Sequence, residues 1–177
     1  MLIRPGRLPR AATDDTLVDL LLGCHARIRR FTAMAIALTE PAAAARPLAE
    51  IAEAADAVRR YLAVALPLHI ADEDEAIAPR LLAHQPDLAP ALARMHAEHE
   101  AHAPLLAGVI DLCADLARSP ADLATLAPRL APLAADLAAA LIAHVDEEER
   151  VVIPAVATLP AADQAAIVSE LRARRAD

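Results

Sequence analysis

The sequence predicts an all-α fold: an up-down-up-down four-helix bundle followed by a short C-terminal helix. Three observations predict it. Hydrophobic residues fill 57% of the 177 positions, yet the chain has one Tyr, one Phe and no Trp, so its core must be built from Leu, Ala, Ile and Val. Glycine is scarce, at 3 residues, and this composition favours helix over sheet, which draws on aromatic and β-branched side chains. Apolar residues then recur at helical spacing in four long segments of similar length, separated by Pro-containing breaks.

The first segment covers residues 13–40. Thr13, Asp14 and Asp15 are expected to cap it and to place acids in its first turn. Leu17, Leu21, Cys24, Ile28 and Phe31 step along one face, and Pro41 closes it. The second covers 47–78 and is expected to end at Pro79; Leu62, Leu66, His69, Glu73 and Ile77 form its stripe, with Pro67 expected to kink or loosen it. The third covers 86–118, with Leu88, Leu92, Met95, His99, His102, Leu106, Val109 and Cys113 on one face and Pro104 as an expected interruption. The fourth covers 121–158 and aligns Leu137, Leu141, His144, Glu148 and Val152. A tail helix over 161–175 leads into the end of "LRARRAD". Residues 13–177 thus read as one domain, preceded by a flexible arm over 1–12.

Charge and composition narrow the function. A formal net charge of -8 repels phosphate backbones, so nucleic acid is not an expected partner. No uninterrupted apolar run reaches the length of a membrane span, and no membrane association is expected. The basic start, "MLIRPGRLPRAA", lacks the apolar stretch of a secretory signal. Two cysteines, Cys24 and Cys113, make no disulfide framework and fall within helical patterns; a reducing cytoplasm is the expected location.

Chemistry enters with a repeat. "HIADEDEAIAP" (69–79) and "HVDEEERVVIP" (144–154) both place a Glu four residues after a His and a Pro ten residues after it. Residues four apart on a helix differ by about 40° in direction and about 6 Å in height. His69 therefore points with Glu73, and His144 with Glu148, each pair on an otherwise apolar stripe. An unpartnered buried carboxylate costs several kcal/mol, and no Arg shares these stripes near the pairs. A metal cation would compensate both carboxylates at once. The other acids of the two runs, Asp72, Asp74, Glu75, Asp146, Glu147 and Glu149, read as a solvated face.

Each of the four helices also carries an inward His near its middle. His25 follows Leu21 by one turn. In "MHAEHEAH", His99 is central, His102 shares its stripe and His96 lies on the flank, whereas His84 falls in a turn. Four imidazoles and two carboxylates suit iron, manganese or zinc, and two ions bridged by carboxylates would use that set more fully than one closed zinc site.

In these motifs the sequence resembles the hemerythrin-like, or HHE cation-binding, family. "CHARIRRF" supplies His25, "HIADEDEAIAPRL" supplies His69 and Glu73, "AEHEAH" supplies His99, and "HVDEEERVVIPAV" supplies His144 and Glu148. The resemblance covers roughly residues 13–175. It implies a four-helix bundle around a non-haem centre of two iron ions bridged by Glu73 and Glu148, with His25 and His69 on one iron and His99 and His144 on the other. Oxygen-carrying members have His-x-x-x-His on the third helix; here Met95 stands four places before His99. His102 is the best replacement by direction and His96 the second. Glu149, five places after His144, is an alternative to Glu148, which fits the helical direction better.

The resemblance implies binding or sensing of dioxygen, of a related small ligand such as peroxide or nitric oxide, or of iron itself, and leaves the redox partner open. A redox enzyme that decomposes peroxide or oxidises a substrate is the alternative, as is a bundle with structural zinc. Tyr61, two turns before His69, is expected in a plain packing role.

Overall fold

Thr16 opens the first helix. In the computed structural model, which describes residues 16–176, its side chain accepts from the Asp19 N–H at 3.1 Å while the Asp19 carboxylate accepts from the Thr16 N–H at 3.0 Å. This reciprocal cap satisfies two donors that a helix start leaves free. Thr13, Asp14 and Asp15, expected to cap the helix, lie outside the described residues, as does the expected arm over 1–12.

Five helices follow, with no strand among the described residues: α1 (Leu17–Ala37), α2 (residues 48–84), α3 (Ala89–Arg118), α4 (Leu123–Ala157) and α5 (Ala161–Arg174). Three short 3₁₀ turns, Pro41–Ala45, Pro86–Leu88 and Pro120–Asp122, link the first four. α1 packs on α2 and α4, and α3 packs on the same two, which closes the ring of an antiparallel bundle. α5 lies against α1 and the Asp72–Ile77 stretch of α2.

Pro79 and Pro104 behave differently from expectation, whereas Pro67 lies inside α2 as expected. α2 does not end at residue 78; it passes Pro67 and Pro79 and continues to His84. A proline in a helix removes one N–H and crowds the carbonyl four residues back. Here each is preceded by a wider, π-helical segment, Tyr61–Ala65 and Asp72–Ile77, which absorbs the misfit. Pro104 likewise does not interrupt α3, and Pro128, Pro132 and Pro154 sit inside α4. All four lie on exposed faces, where solvent can replace the lost hydrogen bonds.

The expected stripes are buried, except that Phe31, Leu88 and Leu106 are only partly covered. Burial of one such Leu is worth about 1.5–3 kcal/mol. Tyr61 is buried and stacks on Phe31 with ring centroids 4.2 Å apart. Cys24 and Cys113 are both buried free thiols, and burial pushes the Cys113 thiol up to about 12.

The segment Pro120–Ala157 is long and apolar enough, by length and composition, to cross a membrane, although no uninterrupted apolar run within it has that length. Arg129 and Asp136 break it in sequence without removing its apolar character. Within the bundle its stripe of Leu130, Leu137, Leu141 and Val145 belongs to the core.

Candidate metal centre

The apolar core comes in two clusters, and a polar layer lies between them. One cluster holds Ile28 of α1, Leu66 of α2, Val109 of α3 and Leu141 and Val145 of α4. The other holds Leu21, Ile77, Met95 and Val152 of the same four helices. Between these residues, helix by helix, come His25, His69 with Glu73, His99 with His102, and His144 with Glu148, all buried. Helical spacing alone puts them on the inward face. The bundle then brings them to one level.

The two carboxylates stand at the centre of that layer. Glu73 directs Oε1 to His69 Nε2 at 3.2 Å and Oε2 to His99 Nε2 at 3.4 Å. Glu148 directs Oε1 to His144 Nε2 at 3.1 Å and Oε2 to His25 Nε2 at 3.3 Å. Two groups result, His25–His69–Glu73–Glu148 and Glu73–His99–His144–Glu148, and within each the ligating atoms lie within 4.8 Å of one another. Both groups share both carboxylates.

These atoms fit a cation better than they fit one another. His25 Nε2, both ring nitrogens of His69, Glu73 Oε2 and both oxygens of Glu148 are buried without an aligned hydrogen-bond partner. Leaving such atoms unpaired in a core is costly unless something else satisfies them. The Nε2 atoms of His99 and His144 are 3.0 Å apart, the separation expected when two imidazoles reach one ion at right angles with bonds of about 2.1 Å.

Outward from the layer, further carboxylates hold three of the four rings. His25 Nδ1 lies 3.0 Å from Glu149 Oε1, His144 Nδ1 lies 2.7 Å from Glu98 Oε2, and His99 Nδ1 lies 3.3 Å from Asp74 Oδ1. A carboxylate on one ring nitrogen fixes the tautomer that presents the other nitrogen inward. Among the described residues His69 has no such partner.

The electrostatics follow from burial. Desolvation pushes His69 down to about 3, so its ring is neutral and free to ligate without losing a proton. Desolvation, with the neighbouring ring of His144, also lowers His99. Glu73 is raised well above the ordinary carboxylate range by burial and then by the charge of Glu148. Burial acts on Glu148 in the same direction, but the His144 and His25 imidazoles beside it outweigh burial and hold it below that range. For His144, burial is likewise outweighed, by Glu148 and Glu98, and its pKa rises.

A profile of the hemerythrin HHE cation-binding domain matches residues 16–156, most of the chain. The chain belongs to that family. No curated protein and no solved structure gives a significant match. The HHE match ends at the close of α4, so α5 lies beyond it.

Of the seven sequence-derived candidates in this HHE domain, His25, His69, Glu73, His99, His144 and Glu148 come together in the two groups. His102 stands outside both: it is buried, its ring meets that of His144 edge-on at 5.5 Å, and its Nδ1 has no partner among the described residues. His96 is exposed against Asp74, and exposed His84 pairs with Asp163 at 2.8 Å. Glu149 points at His25 rather than into the centre.

The reading of the acidic runs as a solvated face needs correction. Asp72 is fully buried and held by Arg174 at 3.0 Å and by Arg175. Asp74 and Glu149 brace ring nitrogens, and Arg29 bridges Glu149 and Asp146. Glu75 and Glu147 do face solvent, paired with Arg174 and Arg150. A signal for Asp74 and Glu149 existed: each directly follows an inward Glu, about 100° around the helix, where the neighbouring helix begins.

Proposed function

We propose that this HHE domain holds two iron ions bridged by Glu73 and Glu148, and that it binds or senses dioxygen or a related small ligand. The observation that carries this reading is the sharing of both carboxylates between two four-donor groups. Two cations within one such set would offset both buried negative charges.

When bound, iron supplies one-electron redox chemistry and an open coordination position for a small ligand. The chain supplies the rest. His25, His69, His99 and His144 present Nε2 inward, and three of them are fixed by Glu149, Asp74 and Glu98. Apolar layers above and below exclude water, which strengthens the electrostatic hold on the cations.

Metal analysis of protein purified from its own cell, joined to an absorption spectrum in air, tests the proposal. The expected result is about two irons per chain with oxo-bridge bands. One zinc per chain after reconstitution with both metals overturns it. Peroxide consumption at a catalytic rate by the iron-loaded protein would move the reading from binding to redox catalysis.

A further inference from the structure

The buried centre must be reached from solvent, and the carboxylates that brace its histidines mark three places where surface and centre meet. They differ in charge. At Glu149, the Arg29 guanidinium spans the carboxylate at 2.7 Å and Asp146 at 2.6 Å, so a fixed positive charge lies across that approach. At Glu98, Arg94 lines the same small cavity, about 20 Å³, as Glu98, His144 and Glu148. At Asp74 the partners among the described residues are histidines, His96 and His99.

Asp74 also differs in its geometry. Its Oδ2 lies 3.1 Å from His96 Nδ1, and its Oδ1 lies 3.3 Å from His99 Nδ1. His96 Nε2 in turn is 4.0 Å from Glu100. Side-chain exposure falls along this line from 60% at His96 to 21% at Asp74 and 6% at His99. The three form a compact group of potential ligands. A carboxylate with imidazoles is a donor set for an intermediate divalent cation, not for a hard ion such as magnesium.

We propose that Asp74 and His96, aided by the charge of Glu100, form a surface loading site that captures a divalent transition-metal cation and delivers it past His99 into the centre. This inference rests on the metal-centre reading above. Because the Asp74 carboxylate meets both rings, a cation held there is one side chain from the inner donors. A route lined by carboxylate and imidazole concentrates cations at its mouth, and such focusing raises association rates.

His96 separates this role from simple bracing of His99, since removing its side chain leaves the Asp74–His99 contact in place. Metal-free full-length protein is mixed rapidly with Co²⁺, the visible absorption of ligated cobalt is followed in time, and the final cobalt content is measured. His96→Ala is expected to load about tenfold more slowly and to reach the wild-type content. His84→Ala, at an exposed His paired with Asp163, is expected to load at the wild-type rate. Loading of His96→Ala at the wild-type rate overturns the loading site while leaving the centre intact, and so does a lowered final content reached at an unchanged rate. A wild-type protein that takes up no cobalt overturns the metal-centre reading, and the loading site with it.

Discussion

The segments at residues 69–79 and 144–154 share a His, a Glu and a Pro at the same intervals, and α2 and α4 use them differently. In α2 the acids Asp72–Glu75 lie in a π-helical turn just before Pro79, whereas in α4 the helix runs regularly through Pro154. Asp72 is sealed under α5 by two arginines, while its counterpart Glu147 pairs with Arg150 near solvent. Glu73 is raised in pKa and Glu148 lowered. Beyond the His and Glu donors themselves, Asp74 and Glu149 keep a common role, each bracing a His of a neighbouring helix. Identical spacing places the ligands; the neighbouring helices decide what surrounds them.

The largest effects test what the two segments share. Glu73→Ala and Glu148→Ala each remove a donor from both groups, so each variant is expected to lose both metals. Metal analysis that finds one ion retained in either variant would break the shared-carboxylate arrangement.

Next comes the contrast at Asp72. Replacing Arg174 and Arg175 together by Ala leaves a buried carboxylate without its partners, at an expected cost of about 3–5 kcal/mol in urea unfolding. A loss below 1 kcal/mol, again taken as a rough bound, would show that Asp72 is hydrated rather than sealed.

Smaller effects are expected at the bracing acids. Asp74→Asn and Glu149→Gln should each weaken metal binding by about 10–100-fold in competition with a chelator. An effect confined to one of them would mean that the two segments do not brace their neighbours alike.

The metal-free protein separates the two bridging acids by pH. Glu73 is raised above its ordinary 4.5, so it contributes stability below that value which is lost as pH rises through its folded pKa. Glu148 is lowered, so it contributes stability above 4.5 which is lost as pH falls through its folded pKa. His69, pushed down to about 3, removes stability as pH falls below 6.5. His144 is raised and acts with Glu73 on the alkaline side. The metal-free melting temperature should therefore fall from pH 6.5 towards alkaline pH, and Glu73→Gln should flatten part of that fall. Glu148→Gln should instead weaken the acid-side loss. Unchanged slopes in both variants would remove the assigned asymmetry. The smallest effect belongs to Glu147→Ala, expected within about 0.5 kcal/mol of wild type because its pair with Arg150 is exposed.

Much of the bundle was legible because its signals are local. The period of Leu21, Cys24 and Ile28, or of Leu137, Leu141 and His144, follows from helix geometry and needs no partner to be read. The inward direction of Glu73 and Glu148 follows from the same rule. Two prolines were misread for an equally local reason: Pro79 and Pro104 look like breaks until the π turn and the exposed face that accommodate them are known.

By itself, then, the sequence determined the helical class, the apolar faces and the six inward donors, since each depends on spacing within one helix. Only the tertiary structure decided that Asp72 is buried, that Asp74 and Glu149 hold rings on other helices, and that His102 lies outside both donor groups while Asp74 joins His96 to His99. Those outcomes depend on how one helix meets another: Arg174 reaches Asp72 across about a hundred residues of chain, and burial and charge act through space, where distance along the sequence carries no information.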